Sequence, residues 1–565
     1  VSLIVDTGEV FDQHEFNLLV ACGAKAVHPR SIYELIDSES LRLKTADAAE
    51  AKANLRKSFQ STLLRYMAKI GMTDIDAYRG SQEFSTIGLS KEMIEKYFRS
   101  DDVDTNGGGV GLETLIAAQI KRRQFDSGGR KVRKSEEREG YKKSIMSALQ
   151  AVGANIAESA ESLVQIQSRS GRTAEELHTD MEEIIATEQG IYDDFVSAIK
   201  EEGVISYRDI YKLKESDQAI PLAEVMPRDE IIKQVIRGAG ISLGSINDTA
   251  HRALHMLFNF YGSRANSGEG GVPIDRRQGE KWEMAAARSV QTASGRFAND
   301  VEYLANPQVE EIEIKIGQGA KPGVGGHLPG RKTFPMIADI RGVALGQELI
   351  SPPTNHDIYS IEDLEALIQR LSTINPAAKI AVKITSGNNV GTIAAGCVKA
   401  GADKVQLSGA AGGTGAATQT DKYNTGLPTE FAVAYANRSL IEQGIRHKAE
   451  LGADGGIRTG EDVLKLLALG ANNVSLGTML LISQLKCIFC QQCSTQKCPA
   501  YITRSTTKFL GSSRDGRQKI EYSDSEEDQQ LARLLYNGMR TLEMLAEDIR
   551  KQMAKMGVRT LDELI

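Results

Sequence analysis

Four cysteines crowd into one stretch, Cys487-Ile-Phe-Cys490-Gln-Gln-Cys493-Ser-Thr-Gln-Lys-Cys498-Pro. Thiolates at this spacing, closed by Cys-Pro, suit an iron–sulfur cluster. A structural zinc site is the alternative, although zinc more often takes two separated pairs. The remaining cysteines, Cys22 and Cys397, stand alone in apolar surroundings, where the residue packs as a small hydrophobe. One tight quartet in 565 residues is not a secreted disulfide framework, so a reducing cytoplasm is expected.

A second stretch able to do chemistry is Lys315-Ile-Gly-Gln-Gly-Ala-Lys-Pro-Gly-Val-Gly-Gly-His-Leu-Pro-Gly330, which follows an alternating, strand-like run over 310–316. Its glycines let backbone N–H groups approach a ligand closely. Lys315 and Lys321 add positive charge, so the expected guest is small and anionic. A flexible surface loop is the plainer alternative. Three more glycine loops each follow a strand candidate and precede a helix. Gly412-Gly413-Thr414-Gly-Ala follows the strand ending at Ser408, Asp454-Gly455-Gly456-Ile-Arg-Thr-Gly follows the next, and Leu476-Gly477-Thr478-Met follows the last. Amides and helix N-termini at successive strand ends suit a phosphate-bearing cofactor.

Strands must end beneath these loops. Candidates are 240–243, 312–315, 381–384, 404–407, 451–454 and 473–476, with two more near Ser263 and Leu349. Eight β/α units with function at the strand ends read as a (β/α)8 barrel over 222–510. An open doubly wound sheet is the runner-up and lacks a nucleotide fingerprint. Residues 1–110 alternate strands (near 3–5 and 25–28) with helical stretches (13–22 and 48–71) and form an α/β layer. The segment 111–221 reads as a helical insertion. It opens with a basic run over 121–143. In its helical patterns over 144–199, Glu158, Glu161, Glu182 and Glu183 recur among apolar residues, which suggests a solvated pair or a partner-docking face. Residues 511–565 form a loop and an amphipathic helix over 526–556. The net charge of −7 argues against a nucleic-acid binder. No apolar run reaches membrane-spanning length. The chain opens at Val1 inside a strand-like run, so residues are expected upstream.

Much of the chain resembles the glutamate synthase family. Ser2-Leu-Ile-Val-Asp-Thr-Gly-Glu, Gly23-Ala-Lys-Ala-Val-His-Pro and Tyr78-Arg-Gly-Ser-Gln-Glu-Phe are similar to its central domain. The 315–330 loop, Ile350-Ser-Pro-Pro-Thr-Asn-His-Asp-Ile-Tyr-Ser-Ile-Glu-Asp and the cysteine run are similar to its synthase domain. The resemblance implies an α/β protein: an FMN-binding (β/α)8 TIM barrel after a partial central domain, followed by an iron–sulfur loop and a C-terminal helix. It implies reductive amination of 2-oxoglutarate with ammonia to L-glutamate. Reduced FMN would give the hydride, and electrons would come through the cluster from ferredoxin or an NAD(P)H-oxidising subunit.

Carried over by position, the resemblance makes Glu269 and Lys321 catalytic. It sets Lys315, Gln318, His327 and Arg341 around the substrate, and Ser242 beside the flavin. The three strand-end loops, with Ser408, match the FMN phosphate site. Lys383, directed inward from a strand, would stand near the flavin N1–O2 edge or pair with a barrel carboxylate. Cys487, Cys493 and Cys498 match the ligands of a 3Fe–4S cluster; with Cys490 the ligand count favours 4Fe–4S. Val324, His327 and Val290 depart from the family wording, which makes an N-methylglutamate synthase-like use of methylamine an alternative. A non-catalytic flavin and iron–sulfur electron-transfer subunit is a third reading. The family's amidotransferase needs an N-terminal cysteine, so ammonia would come from a partner, upstream residues or solution. An oligomer is expected.

Overall fold

The computed structural model describes all residues except 1, 39–46, 70–71, 82–83, 85–87, 98–108, 126–142, 154–173, 274–275, 278–283, 295–298, 320–326, 352–354, 388, 414–424, 491, 505–523 and 565. Lys321 and Thr414, together with Glu158, Glu161 and Val324, lie outside the described residues. The chain forms two compact units, Val1–Glu136 and Glu137–Ile565. In the first, strand β1 (Ile4–Thr7) pairs in parallel with β2 (Ala26–Pro29). The helix Gln13–Ala21 makes the crossover that a parallel pair requires. Asp12 accepts from the Glu15 amide and Glu15 accepts in return, which caps the helix start. Val20, Ala21, Leu63, Met67 and Tyr78 form this unit's own core.

The second unit is built on a parallel sheet of seven strands: β3 (Ile236–Gly238), β4 (Ser289–Ala293), β5 (Glu311–Lys315), β8 (Lys379–Thr385), β9 (Lys404–Ser408), β10 (Glu450–Asp454) and β11 (Asn473–Leu476). Its order, β3-β11-β10-β9-β8-β5-β4, leaves β3 and β4 as edges. Residues Ala265 and Asn266 close that gap, bridging in parallel to Gly238 on one side and to Ser289 on the other. The Gly238 amide donates to Arg264 O at 3.0 Å, the Asn266 amide to Gly238 O at 3.1 Å and the Ser267 amide to Ser289 O at 3.0 Å. The sheet is therefore a closed barrel whose eighth strand is very short.

Two strand assignments need correction. The first barrel strand is Ile236–Gly238, not 240–243, so Gly240–Ser242 belong to the loop at its C-terminal end. The strand near Leu349 exists but lies outside the barrel. There β7 (Leu349–Ile350) pairs antiparallel with β6 (His327–Leu328). This excursion has a small core of its own, Leu243, Leu328, Phe334, Ile337, Ile340 and Leu349. The barrel position it seemed to fill is taken by β4. Its inward Ser289 and Gln291 interrupt any apolar run, which hid it in the sequence.

Side chains alternate along the strands. Ile312 and Ile314 pack in the apolar shell with the helices, whereas Glu311, Glu313, Lys383, Lys404 and Asp454 meet partners inside the bore. Lys404 Nζ lies 3.4 Å from Glu311 Oε2, and Lys383 Nζ 2.7 Å from Asp454 Oδ2. Each pair joins strands that are not neighbours, so the bridges cross the bore.

The helices Lys143–Val152 and Ala174–Glu201 are not a solvated pair. Ile145, Leu149, Val152, Met181, Tyr192 and Phe195 are buried in the same core as the barrel helices. The C-terminal helix Asp524–Met556 packs against Ala174–Glu201, Arg228–Val235 and Asp248–Phe260. Arg228 ties these helices together, with Nε 2.7 Å from Glu543 Oε2 and a further pair to Glu182. The stretch 111–221, read as one insertion, falls in both units. Among the described residues no helix is long and apolar enough to cross a membrane.

Candidate functional site

One cavity of about 250 Å3 opens at the C-terminal ends of the barrel strands. Its wall brings together Ser242, Glu269, Lys315, Gln318, His327, Lys383, Ser408, Gly412, Gly413, Asp454, Gly455, Gly456, Gly477 and Thr478 with all four clustered cysteines. Of the described residues that the sequence assigns to substrate, flavin or cluster, Arg341 alone is missing from that wall. It is buried behind it, where Nη2 donates to Leu243 O at 2.9 Å, and burial, opposed by Glu269, lowers its pKa to about 10.

Glu269 stands on the loop after the short second strand. Lys315 Nζ, from the end of β5, lies 3.2 Å from Glu269 Oε2, and Ser351 Oγ donates to the same oxygen at 3.1 Å. The loop is held from below. Ser267 Oγ pairs with Tyr303 Oη at 2.8 Å, and the Gly268 amide donates to Asn266 Oδ1 at 2.8 Å. His251, on the helix Asp248–Phe260, reaches Ser267 O through Nε2 at 3.2 Å and meets Arg276 Nη1 through Nδ1 at 2.9 Å. Arginine can only donate, so Nδ1 accepts and the proton sits on Nε2.

This support is pH-sensitive. Burial, assisted by the Arg276 charge, holds the His251 pKa at about 3, and burial with His251 and Arg276 holds His255 well below 6.5. Unfolded imidazoles take up protons near pH 6.5, so the folded state loses ground as pH falls below that value. The loss is about 1.4 kcal/mol per pH unit per histidine, running down to about pH 3 for His251. Guanidinium unfolding midpoints are expected to fall steadily from pH 7 to pH 5; a flat profile would contradict these buried neutral histidines.

Across the cavity, β9 and β10 end in a hydrogen-bonded knot. Ser408 Oγ donates to Asp454 Oδ1 at 2.6 Å, while Lys383 takes Asp454 Oδ2. Lys383 pairs with a barrel carboxylate, one of the two expectations for it, and lines the cavity. Asp454 is thereby committed to side chains. Gly455 and Gly456, which follow it, line the same cavity. At Gly412 an added Cβ would meet Asp454 Oδ1 at 2.7 Å and Ser408 Oγ at 2.9 Å, so this turn can lie close only without a side chain. At Gly319 a Cβ would fall 1.6 Å from Gly409 O, which pins the glycine-rich loop after β5 against the loop after β9.

Three contributors were not found in the sequence. Arg208, buried on a turn before the barrel, donates to the carbonyls of Gly455 at 2.9 Å and Gly456 at 3.1 Å. Nothing in Tyr-Arg-Asp signals this, because the two segments are far apart in the chain. Gln291 lines the cavity and donates to Glu313 Oε1 at 2.6 Å. Lys332 lines it from the turn Gly330–Lys332; burial, opposed by Cys493 and Cys498, lowers its pKa to about 8. A lysine two residues after the glycine loop could have been suspected.

The cysteine loop follows β11. Of five non-glycine residues with positive φ among the described residues, four lie here: Lys486, Phe489, Gln496 and Tyr501. That conformation is costly for side-chain-bearing residues and marks a backbone bent to purpose. The Phe489 amide donates to Cys487 Sγ at 3.4 Å. The helix Lys143–Val152 anchors the loop's start: Gln150 Nε2 donates to Cys487 O and Lys486 Nζ to Gln150 O, each at 2.9 Å. Burial, with the neighbouring thiols, raises the Cys487 pKa to about 12. Among the described residues no three Cys, His, Asp or Glu side chains converge on a single metal ion. A zinc ion draws its thiolates to about 2.3 Å. Four thiols on one cavity wall, with an amide donated to one sulfur, are a donor set able to hold an iron–sulfur cluster.

Comparison with known proteins agrees with this architecture. Residues 172–559 match the model of a conserved region in glutamate synthase, and residues 1–90 match the glutamate synthase central domain. The NADPH glutamate synthase large chain of Bacillus subtilis is 34% identical over 579 residues, covering 100% of this chain and 34% of that protein. The corresponding chain of Azospirillum brasilense is 33% identical, with 100% and 34% covered. The ferredoxin-dependent glutamate synthase of Antithamnion is 30% identical, with 100% and 36% covered. The chain thus spans about a third of the length of the curated relatives it matches. Through matches that take in both its central domain and its conserved region, the chain belongs to the glutamate synthase family.

Proposed function

We propose that the strand-end cavity is a glutamate synthase-type centre for reductive amination of 2-oxoglutarate by ammonia, with FMN and an iron–sulfur cluster as its cofactors. The observation that carries this reading is the shared wall. Glycine loops at the ends of β9, β10 and β11, Lys383, the Glu269–Lys315 pair and four thiols all face one cavity of about 250 Å3. When bound, the flavin supplies hydride and the cluster supplies single electrons. The chain's residues do the rest.

The amides of Gly413, Gly455, Gly456 and Gly477 would take the phosphate, with Gly412, whose own amide donates to Gly409 O at 2.8 Å, shaping the turn, and with Asp454 occupied by Ser408 and Lys383. Lys315 supplies positive charge for a substrate carboxylate, and Gln318 and His327 line the same wall. Arg341 supports the 243–270 loops, and a substrate would meet it only after a side-chain shift. Glu269 holds or moves the proton at the reacting nitrogen, and Lys315 keeps its carboxylate oriented. Lys321 is assigned a catalytic role by the resemblance. The wall of Ile241, Leu328, Ile457 and Phe489 excludes water. The electron donor, ferredoxin or an NAD(P)H-oxidising subunit, and the ammonia source belong to this proposal, as does the division into 1–110, 111–221, 222–510 and 511–565.

Cluster nuclearity is tested at Cys490. With four thiolate ligands a 4Fe–4S cluster is expected. Cys490→Ser would then convert it to a three-iron form, read as lower iron per chain and a new EPR signal in the oxidised protein. An unchanged spectrum would remove Cys490 from the ligand set.

A further inference from the structure

Among the described residues, Lys332 is the one buried ammonium of the cavity that no role above uses. It is 3% exposed. Its Nζ donates to Ser245 O at 2.8 Å, on the loop after β3, and to Cys493 O at 3.1 Å. Both acceptors are neutral carbonyls, so these bonds leave its charge uncompensated. The turn that carries it is clasped to the cysteine loop on both sides: Arg331 Nε donates to Ser494 O at 2.8 Å, and Gln496 Nε2 donates to Arg331 O at 3.3 Å. The ammonium is therefore fixed in place, between the loop after the first strand and the loop that carries Cys493 and Cys498.

We infer that Lys332 is a positioning residue for charge, one that stabilises the anionic group held by Cys487, Cys490, Cys493 and Cys498 and favours its reduced state. The inference rests on the cluster reading above. Several thiolates around irons and sulfides carry net negative charge, and one-electron reduction adds to it. A cation fixed nearby, in a site with little water, lowers the free energy of the reduced form more than that of the oxidised form. A mere clasp between two loops would not act on the potential.

The test uses the full chain, purified anaerobically as wild type, Lys332→Gln and Lys332→Arg. Iron and sulfide are counted, and the cluster is then titrated potentiometrically by EPR. Glutamine can still donate to the two carbonyls but carries no charge. The expected result is a wild-type iron content in all three proteins. Lys332→Gln should titrate at a lower potential by about tenfold in the reduction equilibrium, about 59 mV for one electron. Lys332→Arg should stay close to wild type. A loaded Lys332→Gln protein at the wild-type potential would overturn the inference. If glutamine instead abolishes loading, the arginine variant decides: a loaded Lys332→Arg supports the need for charge, and an empty one reduces Lys332 to a structural clasp. A wild-type protein without iron would be a different failure, that of the cluster reading itself.

Discussion

Protein carrying Glu269→Gln, with its flavin and iron complement intact, is expected to form glutamate about 10²–10⁴-fold more slowly than wild type. The carboxylate sits where the cavity wall meets Lys315, at 3.2 Å, on a loop fixed by Asn266, Ser267 and Tyr303. Glutamine keeps the shape and can still accept from Ser351, but it cannot exchange a proton with the reacting nitrogen. The loss should fall on kcat, with the KM for 2-oxoglutarate changed little. Flavin absorbance and iron content, measured on the same sample, separate a chemical defect from an empty site. A rate within about tenfold of wild type would remove Glu269 from the chemistry.

Asp454→Asn is expected to destabilise the barrel unit by about 3–5 kcal/mol, because it leaves the Lys383 ammonium buried without its charge partner. Both side chains are nearly inaccessible, Lys383 at 7% and Asp454 at 6% side-chain exposure, so water cannot compensate. Burial disfavours the lysine's charge, and Asp454 and Glu313 more than restore it, leaving its pKa raised. The double variant Asp454→Asn/Lys383→Met removes the stranded charge along with its partner and is expected to recover most of the loss in guanidinium unfolding. A double variant as unstable as the single one would mean that Asp454 acts through Ser408 and the strand ends, and not through the ion pair.

The sequence disclosed those parts of the site that follow a strand directly. The loops at 412–414, 454–456 and 477–478 were found because strand, glycine and helix follow one another within a few residues. Strand β5 was legible as Glu-Ile-Glu-Ile-Lys, but its facing was not. In a half-buried sheet the polar side of such an alternation meets solvent. Here Glu311 and Glu313 turn into the bore and the isoleucines meet helices. The same inversion hid β4, whose Ser289 and Gln291 face inward. The second strand, expected near Ser263, is only Ala265–Asn266, too short to give any periodicity; its hydrogen bonds to Gly238 and Ser289 fix its place. Contacts between distant segments were out of reach altogether. Arg208 beneath Gly455 and Gly456, and Gln150 against Cys487, join parts of the chain 247 and 337 residues apart. The helices around 143–201 misled for a related reason. Glu182 and Glu183 are exposed, as their spacing suggests, but the apolar residues beside them, Met181, Ile184 and Ile185, join the core of the barrel unit.

The proposed union of flavin, cluster and amination chemistry in one strand-end cavity is open to direct measurement. Its most direct test begins with anaerobically purified protein, measured for flavin and iron. Product formation from 2-oxoglutarate is then followed with reduced methyl viologen and either ammonium or methylamine. Bound FMN, bound iron and glutamate appearing with ammonium are expected. N-methylglutamate from methylamine without glutamate from ammonium would contradict the assigned amine. A protein that binds no flavin would contradict the claim as a whole.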